Sequence, residues 1–124
     1  MSNPNTLLQA TADHLARFVP FDGMAREHLT WLAARLKLAY YGKGETLLDP
    51  AAGAVKKLFI IKQGEVTGEQ GDAGAWIELH EGEAFPLGAL LSGRAAISLV
   101  KAKSDVFAYE LDAADFHEIV KRSQ

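Results

Sequence analysis

The rhythm of the apolar residues changes at Lys37, and that change constrains the fold more than any other feature of the chain. From there to residue 111 they fall into short runs cut by turn formers: Gly42-Lys43-Gly44, Asp49-Pro50-Ala51-Ala52-Gly53, Gln63-Gly64, Gln70 to Gly74, Glu81-Gly82-Glu83 and Ser104-Asp105. The runs between them read as strands over Lys37–Tyr41, Glu45–Leu48, Lys57–Lys62, Glu65–Glu69, Trp76–His80, Ile97–Lys103 and Val106–Leu111, with Lys57–Lys62 the richest in β-branched and aromatic residues. Short strands so closely spaced predict a sandwich or barrel.

Helical spacing flanks this region. Leu7, Leu8, Ala12, Leu15, Ala16 and Val19 predict a helix over Asn5–Val19, capped by Asn5 or Thr6 and ended by Pro20. Leu29, Leu32, Ala33 and Leu36 share one face of a second helix, starting near Gly23 or Met24 and running to Leu36, with Trp31 at its edge. Asp112 and Asp115 are spaced as a capping box for a last helix over 112–122, and Lys121 and Arg122 suit its C-terminal dipole. At 124 residues the chain reads as one domain, 1–124: helices over 5–36, strands over 37–111 and a closing helix.

Composition removes several function classes. A net charge of −3 without a basic stripe argues against nucleic acid. The absence of cysteine excludes disulfides and cysteine-held zinc, and fits a cytoplasmic setting. There is neither a signal-peptide pattern nor an apolar run near the roughly 20 residues a membrane span needs. His14, His28, His80 and His117 lack metal-ligand spacing, and neither a G-x-S-x-G elbow nor a Walker loop occurs. No catalytic or metal residue is therefore expected, and the chain reads as a non-enzyme. Tyr40, Tyr41, Trp76 and Phe107 are either core aromatics or the lining of a mouth between the strands.

The segment 82–102 carries the chemistry. Gly88-Ala89-Leu90-Leu91 reads as a single helical turn between two strands, followed by Ser92-Gly93 and Arg94. Free amides at the start of such a turn favour an anion, small residues allow close approach, and Arg94 adds a guanidinium. An ordinary strand–turn–strand connection accounts for the spacing equally well, with Arg94 on the surface and Phe85 a core anchor.

The arrangement resembles the phosphate-binding cassette of the cyclic nucleotide-binding domain family, F-G-E-x-A-L-L followed by P-R-x-A-T. Aligned without gaps from Phe85 to Ala102, Phe85, Ala89, Leu90, Leu91, Gly93, Val100, Lys101 and Ala102 coincide. The Pro20-Phe21 step, the Lys43-Gly44-Glu45 turn, and Leu58-Phe59-Ile60-Ile61 leading to Gln63-Gly64-Glu65-Val66 are also similar to that family. The resemblance implies a mainly β fold with flanking helices, a jelly-roll β-barrel (double-stranded β-helix). It also implies a regulatory role in signal transduction, with a ligand held by Leu87, Gly88, Ala89, Leu90, Arg94, Ala96, Ile97 and Ser98. The F-P-L-G-A-L-L variant is similar to a bacterial branch in which this domain precedes paired regulatory domains and a nucleotidyltransferase-type domain.

The departures predict altered binding. The family's Gly-Glu pair, whose carboxylate holds the ribose, is replaced by Pro86-Leu87; its phosphate-binding arginine falls on Ala96, with Arg94 two residues earlier. Each charge-assisted hydrogen bond is worth roughly 1.5–3 kcal/mol, so losing both weakens binding by about two to four orders of magnitude. The expectation is a sensor domain with weak binding of a cyclic nucleotide or another small anion and no resident cofactor. The alternative is a degenerate, ligand-free interaction or dimerisation module. Family members usually continue into a lid helix, so either a longer protein or a lid supplied elsewhere is expected, and the bacterial-branch resemblance implies further effector domains.

Overall fold

A computed structural model describes residues 4–18, 21–70, 75–96 and 98–122. Helix α1 spans Pro4–Leu15 and α2 Arg26–Arg35; strands β1 (Lys37–Tyr41), β2 (Thr46–Leu48), β3 (Lys57–Gln63), β4 (Val66–Gln70), β5 (Ala75–Leu79) and β6 (Ala84–Phe85) follow. The short helix α3 (Leu87–Ser92), strands β7 (Ser98–Ala102) and β8 (Val106–Asp112), and helix α4 (Ala113–Arg122) complete the chain.

The strands form two antiparallel four-stranded sheets, β1-β8-β3-β6 and β2-β7-β4-β5. This is the expected mainly β jelly roll with flanking helices, but the two sheets are not joined into one closed barrel. The β3–β8 ladder pairs Phe59 with Glu110 and Ile61 with Ala108, while Gly68 of β4 stands between Ile77 of β5 and Val100 of β7.

Strand alternation separates two cores. Phe59, Ile61, Val66, Phe85, Val100, Val106 and Ala108 pack between the sheets. Leu58, Ile60, Tyr109 and Leu111 leave the opposite face of the first sheet and pack under Leu15, Leu32, Leu90, Phe116 and Ile119. Because β3 is covered on both faces, Leu58–Ile61 is apolar without interruption.

The element ends differ from the sequence expectations for local reasons. Helix α1 begins at Pro4, so Asn5 and Thr6 lie inside it, and it stops at Leu15. Arg17 and Phe18 then turn back, their amides donating to the His14 and Leu15 carbonyls at 3.2 and 3.1 Å; Val19 and Pro20 lie outside the described residues. A 3₁₀ turn over Phe21–Gly23 precedes α2, whose N-cap position is Ala25 and not Gly23 or Met24. Asp112 ends β8; the Ala113 amide donates to the Lys56 carbonyl at 2.9 Å, and the Asp115 carboxylate faces Arg35 at 4.0 Å.

Helix α1 is tied to the β5–β6 turn just before the segment of interest. His14 Nε2 lies 2.9 Å from Glu81 Oε1, and the Phe18 ring lies against Gly82, whose φ is +88°. Helices α2 and α4 meet through Trp31, whose ring has the guanidinium carbons of Arg35 and Arg122 at 3.8 and 4.9 Å from its centre.

Candidate functional site

Strand β6 places Phe85 between the sheets, with its ring stacked on Phe59 at 5.2 Å. Pro86 follows at the N-cap of α3; its carbonyl accepts the first intrahelical bond, from the Leu90 amide at 3.2 Å. The amides of Leu87, Gly88 and Ala89 therefore precede the helix's own ladder. Gly93 closes α3 in the left-handed conformation at φ +68°, and Arg94 donates its amide to the Ala89 carbonyl at 3.0 Å. The Arg94 carbonyl accepts from Val55 at 3.1 Å, which fastens the loop after α3 to the β2–β3 connection.

Beneath this turn lies a cavity of about 290 Å³. Leu48, Gly68, Ile77, Leu79, Val100 and Ser98 form its sheet side; Phe85, Pro86, Gly88, Ala89 and Arg94–Ala96 form the rest. A Cβ built at Gly88 meets no atom within 4 Å, so an occupant has room to approach that backbone. Arg94 is the cavity's one charged residue among the described residues, and its guanidinium forms no ion pair with them. Its Nε donates to Ser92 Oγ at 2.8 Å, and that hydroxyl donates to the Gly88 carbonyl at 2.7 Å.

Of the residues singled out in the sequence, Gly88, Ala89, Arg94, Ala96 and Ser98 come together around the cavity. Leu90 is buried in the helix-side core. Leu87 lines a different, apolar hollow of about 270 Å³, shared with Phe21, Leu32, Phe116, Ile119 and Val120. It does not fill the space between the sheets, as a side chain plugging the mouth would. Ile97 lies outside the described residues. Sequence reasoning missed Gly68, Ile77, Leu79 and Val100, whose alternation along their strands was the available signal. It also missed Ser92, for which an i, i+4 back-bond to a helical carbonyl is an ordinary option.

The four aromatics considered as mouth lining are dispersed. Tyr40 and Phe107 pair across β1 and β8 with ring centres 5.2 Å apart, and both are exposed. Tyr41 lies at a separate hollow beside Lys57, where its hydroxyl donates to Glu110 Oε2 and Lys57 Nζ donates to Glu110 Oε1 at 3.0 Å. Burial and then this hydrogen bond push the Tyr41 phenol well above its ordinary range. The Trp76 side chain lies outside the described residues.

Glu65, Glu78 and His80 also converge, their ligand atoms lying within 4.8 Å of one another. Lys103 already serves this group: it bonds to Glu78 and stands 3.8 Å from Glu65. That bond holds the Glu78 carboxyl below and the Lys103 ammonium above their ordinary ranges. The cluster is a surface ion-pair network, with its cation supplied by the chain.

No family profile matches the chain, and no curated protein matches it. Solved structures do. cAMP-bound PfPKA-R superposes with a TM-score of 0.86 at 19% identity, covering 97% of this chain and 42% of that one. The regulatory subunit of a cAMP-independent protein kinase A from Trypanosoma brucei gives 0.83 at 19%, covering 96% and 45%. Its counterpart from Trypanosoma cruzi, bound to guanosine, gives 0.84 at 18%, covering 94% and 42%. The chain thus spans less than half the length of these neighbours, and it has the fold of their regulatory domains.

Proposed function

We propose that this chain is a ligand-responsive regulatory domain in signal transduction, with cyclic nucleotide affinity much reduced, and not an enzyme. The carrying observation is the cavity of about 290 Å³ beneath α3, which Arg94 borders and Leu87 leaves open. The ligand would lie between the Gly88–Ala89 backbone, Arg94, Ala96 and Ser98, with the Leu87 amide as a further donor; the Leu90 amide, bonded to the Pro86 carbonyl, would not take part. The Gly-Glu pair that holds a ribose in the family is Pro86-Leu87 here, and this supports weak binding.

The two faces of α3 supply the response. One borders the cavity; Leu90 and Leu87 on the other meet the core and the hollow shared with Phe116, Ile119 and Val120 of α4. A ligand that moves α3 therefore repacks α4, provided it binds the two arrangements unequally. A cytoplasmic protein with effector domains beyond this one suits such a role. Calorimetric titration with cyclic AMP and cyclic GMP should give millimolar binding or weaker, further reduced by Arg94→Ala. Micromolar binding of either nucleotide would refute the reduced affinity, and its survival in Arg94→Ala would refute the part given to Arg94 as well.

One observation favours a second reading, an interaction or homodimerisation module. Leu38 and Tyr40 of edge strand β1 and Phe107 of β8 form an exposed apolar patch on the first sheet. Sedimentation of Tyr40→Ser against wild type tests it: a dimer lost in the variant supports the module, and a monomer in both removes it.

A further inference from the structure

We infer that the preferred occupant of the cavity is a compact amphiphilic monoanion, an aryl or short alkyl carboxylate, and not a cyclic nucleotide; this rests on the reading above that the cavity is a ligand site. Charge is the first argument. Among the described residues the cavity has one cation, Arg94, and no carboxylate. A lone guanidinium beside hydrocarbon selects one negative charge, and its fork matches a carboxylate geometrically.

The walls give the second argument. Leu48, Ile77, Leu79, Phe85 and Val100 present hydrocarbon, and among the described residues only Ser98 besides Arg94 brings a polar side chain. Ribose hydroxyls held there lose water without recovering a carboxylate partner, which is unfavourable. A ring or alkyl chain gains by the same burial. Size is the third argument. At about 290 Å³ the cavity is at the small end of ligand sites, which run from about 300 to 1,000 Å³. It is about twice the roughly 150 Å³ cavity that accepts benzene, so one ring with a carboxylate arm fits.

Ser92 is a positioning residue for this recognition. By accepting from Arg94 Nε at 2.8 Å and donating to the Gly88 carbonyl at 2.7 Å, it ties the guanidinium to α3. Among the described residues the two terminal nitrogens have no hydrogen-bond partner, which leaves them for an end-on carboxylate. Binding at Arg94 is thereby coupled to the helix whose other face meets the α4 hollow.

Calorimetric titration of the full chain with 3-phenylpropanoate, hexanoate, 3-phenylpropanamide, acetate and cyclic AMP tests the inference. The two amphiphilic carboxylates should bind at least ten-fold more tightly than the neutral amide, acetate or cyclic AMP. Arg94→Ala, a change at an exposed side chain, should weaken them about ten- to 150-fold. Ser92→Ala should weaken them less, and Ser92→Thr should restore them. An amide as tight as its acid, acetate as tight as hexanoate, or insensitivity to Arg94→Ala would overturn the inference. Stronger, Arg94-dependent binding of cyclic AMP would overturn it while leaving the ligand site standing. No binding of any probe would overturn both.

Discussion

Replacing Gly82 by alanine tests how α1 is docked ahead of the candidate site. Gly82 has φ +88°, where an L side chain is strained by about 1–2 kcal/mol. Its new Cβ would also lie 2.6 Å from Phe18 Cε1 and closer still to the ring's Cγ and Cδ1, so the ring must leave its place. Overpacking of this kind adds about 1–3 kcal/mol, giving a total near 2–5 kcal/mol. In urea denaturation, with a slope of about 1.5 kcal/mol/M, a 3 kcal/mol loss lowers the midpoint by about 2 M. The two contributions separate in a double-mutant cycle. With Phe18→Ala present, Gly82→Ala should retain only the backbone strain, leaving a coupling of about 1–3 kcal/mol. A Gly82→Ala protein within 0.5 kcal/mol of wild type, or a cycle that closes without coupling, would refute the packing of Phe18 on this turn.

Leu90→Ala, at a side chain only 1% exposed, should cost about 2–4 kcal/mol in denaturant titrations and lower the hydrogen-exchange protection of α3 and α4 together; a loss under 1 kcal/mol would contradict its place in the core. Gly68→Ala should fold, because a Cβ there makes ordinary contacts at 3.6–3.9 Å with Val100, Ser98 and Ile77, and should weaken carboxylate binding in calorimetry by taking space from the cavity. Burial raises the Tyr41 and Tyr109 phenols in the fold, so the stability they contribute is complete below the unfolded value of 10.0 and declines as pH rises above it. Denaturation midpoints should accordingly fall from about pH 10 upward, less steeply in Tyr41→Phe, whereas a flat profile would contradict the sheltered phenols.

The strand order along the chain was legible because alternation survives wherever one face is wet: Phe107 is exposed while Val106 and Ala108 are buried. In β3 both faces are covered, so no alternation tells which of Leu58–Ile61 faces the other sheet and which the helices. The open relation of the two sheets was likewise illegible, because closure depends on pairing between strands distant in sequence. In the candidate site, the small residues and Arg94 could be read from spacing, but the facing of Leu87 could not. Helix α3 is under two turns and too short for a periodicity to read. The Ser92 bridge was hidden for another reason: it joins a carbonyl four residues back to an arginine two residues on, and no composition signal marks such a contact. Pro20 bounded α1 from above only, since the chain had already turned at Leu15.

Amide chemical-shift mapping during titration with 3-phenylpropanoate and with cyclic AMP tests the central claim most directly: an anion at Arg94 repacks α3 and through it α4. The account expects perturbation at Gly88, Ala89 and Ser98 together with Phe116, Ile119 and Val120, larger for the carboxylate and lost in Arg94→Ala. Perturbations confined to the outer face around Tyr40 and Phe107, or cavity shifts that leave α4 unmoved, would contradict it.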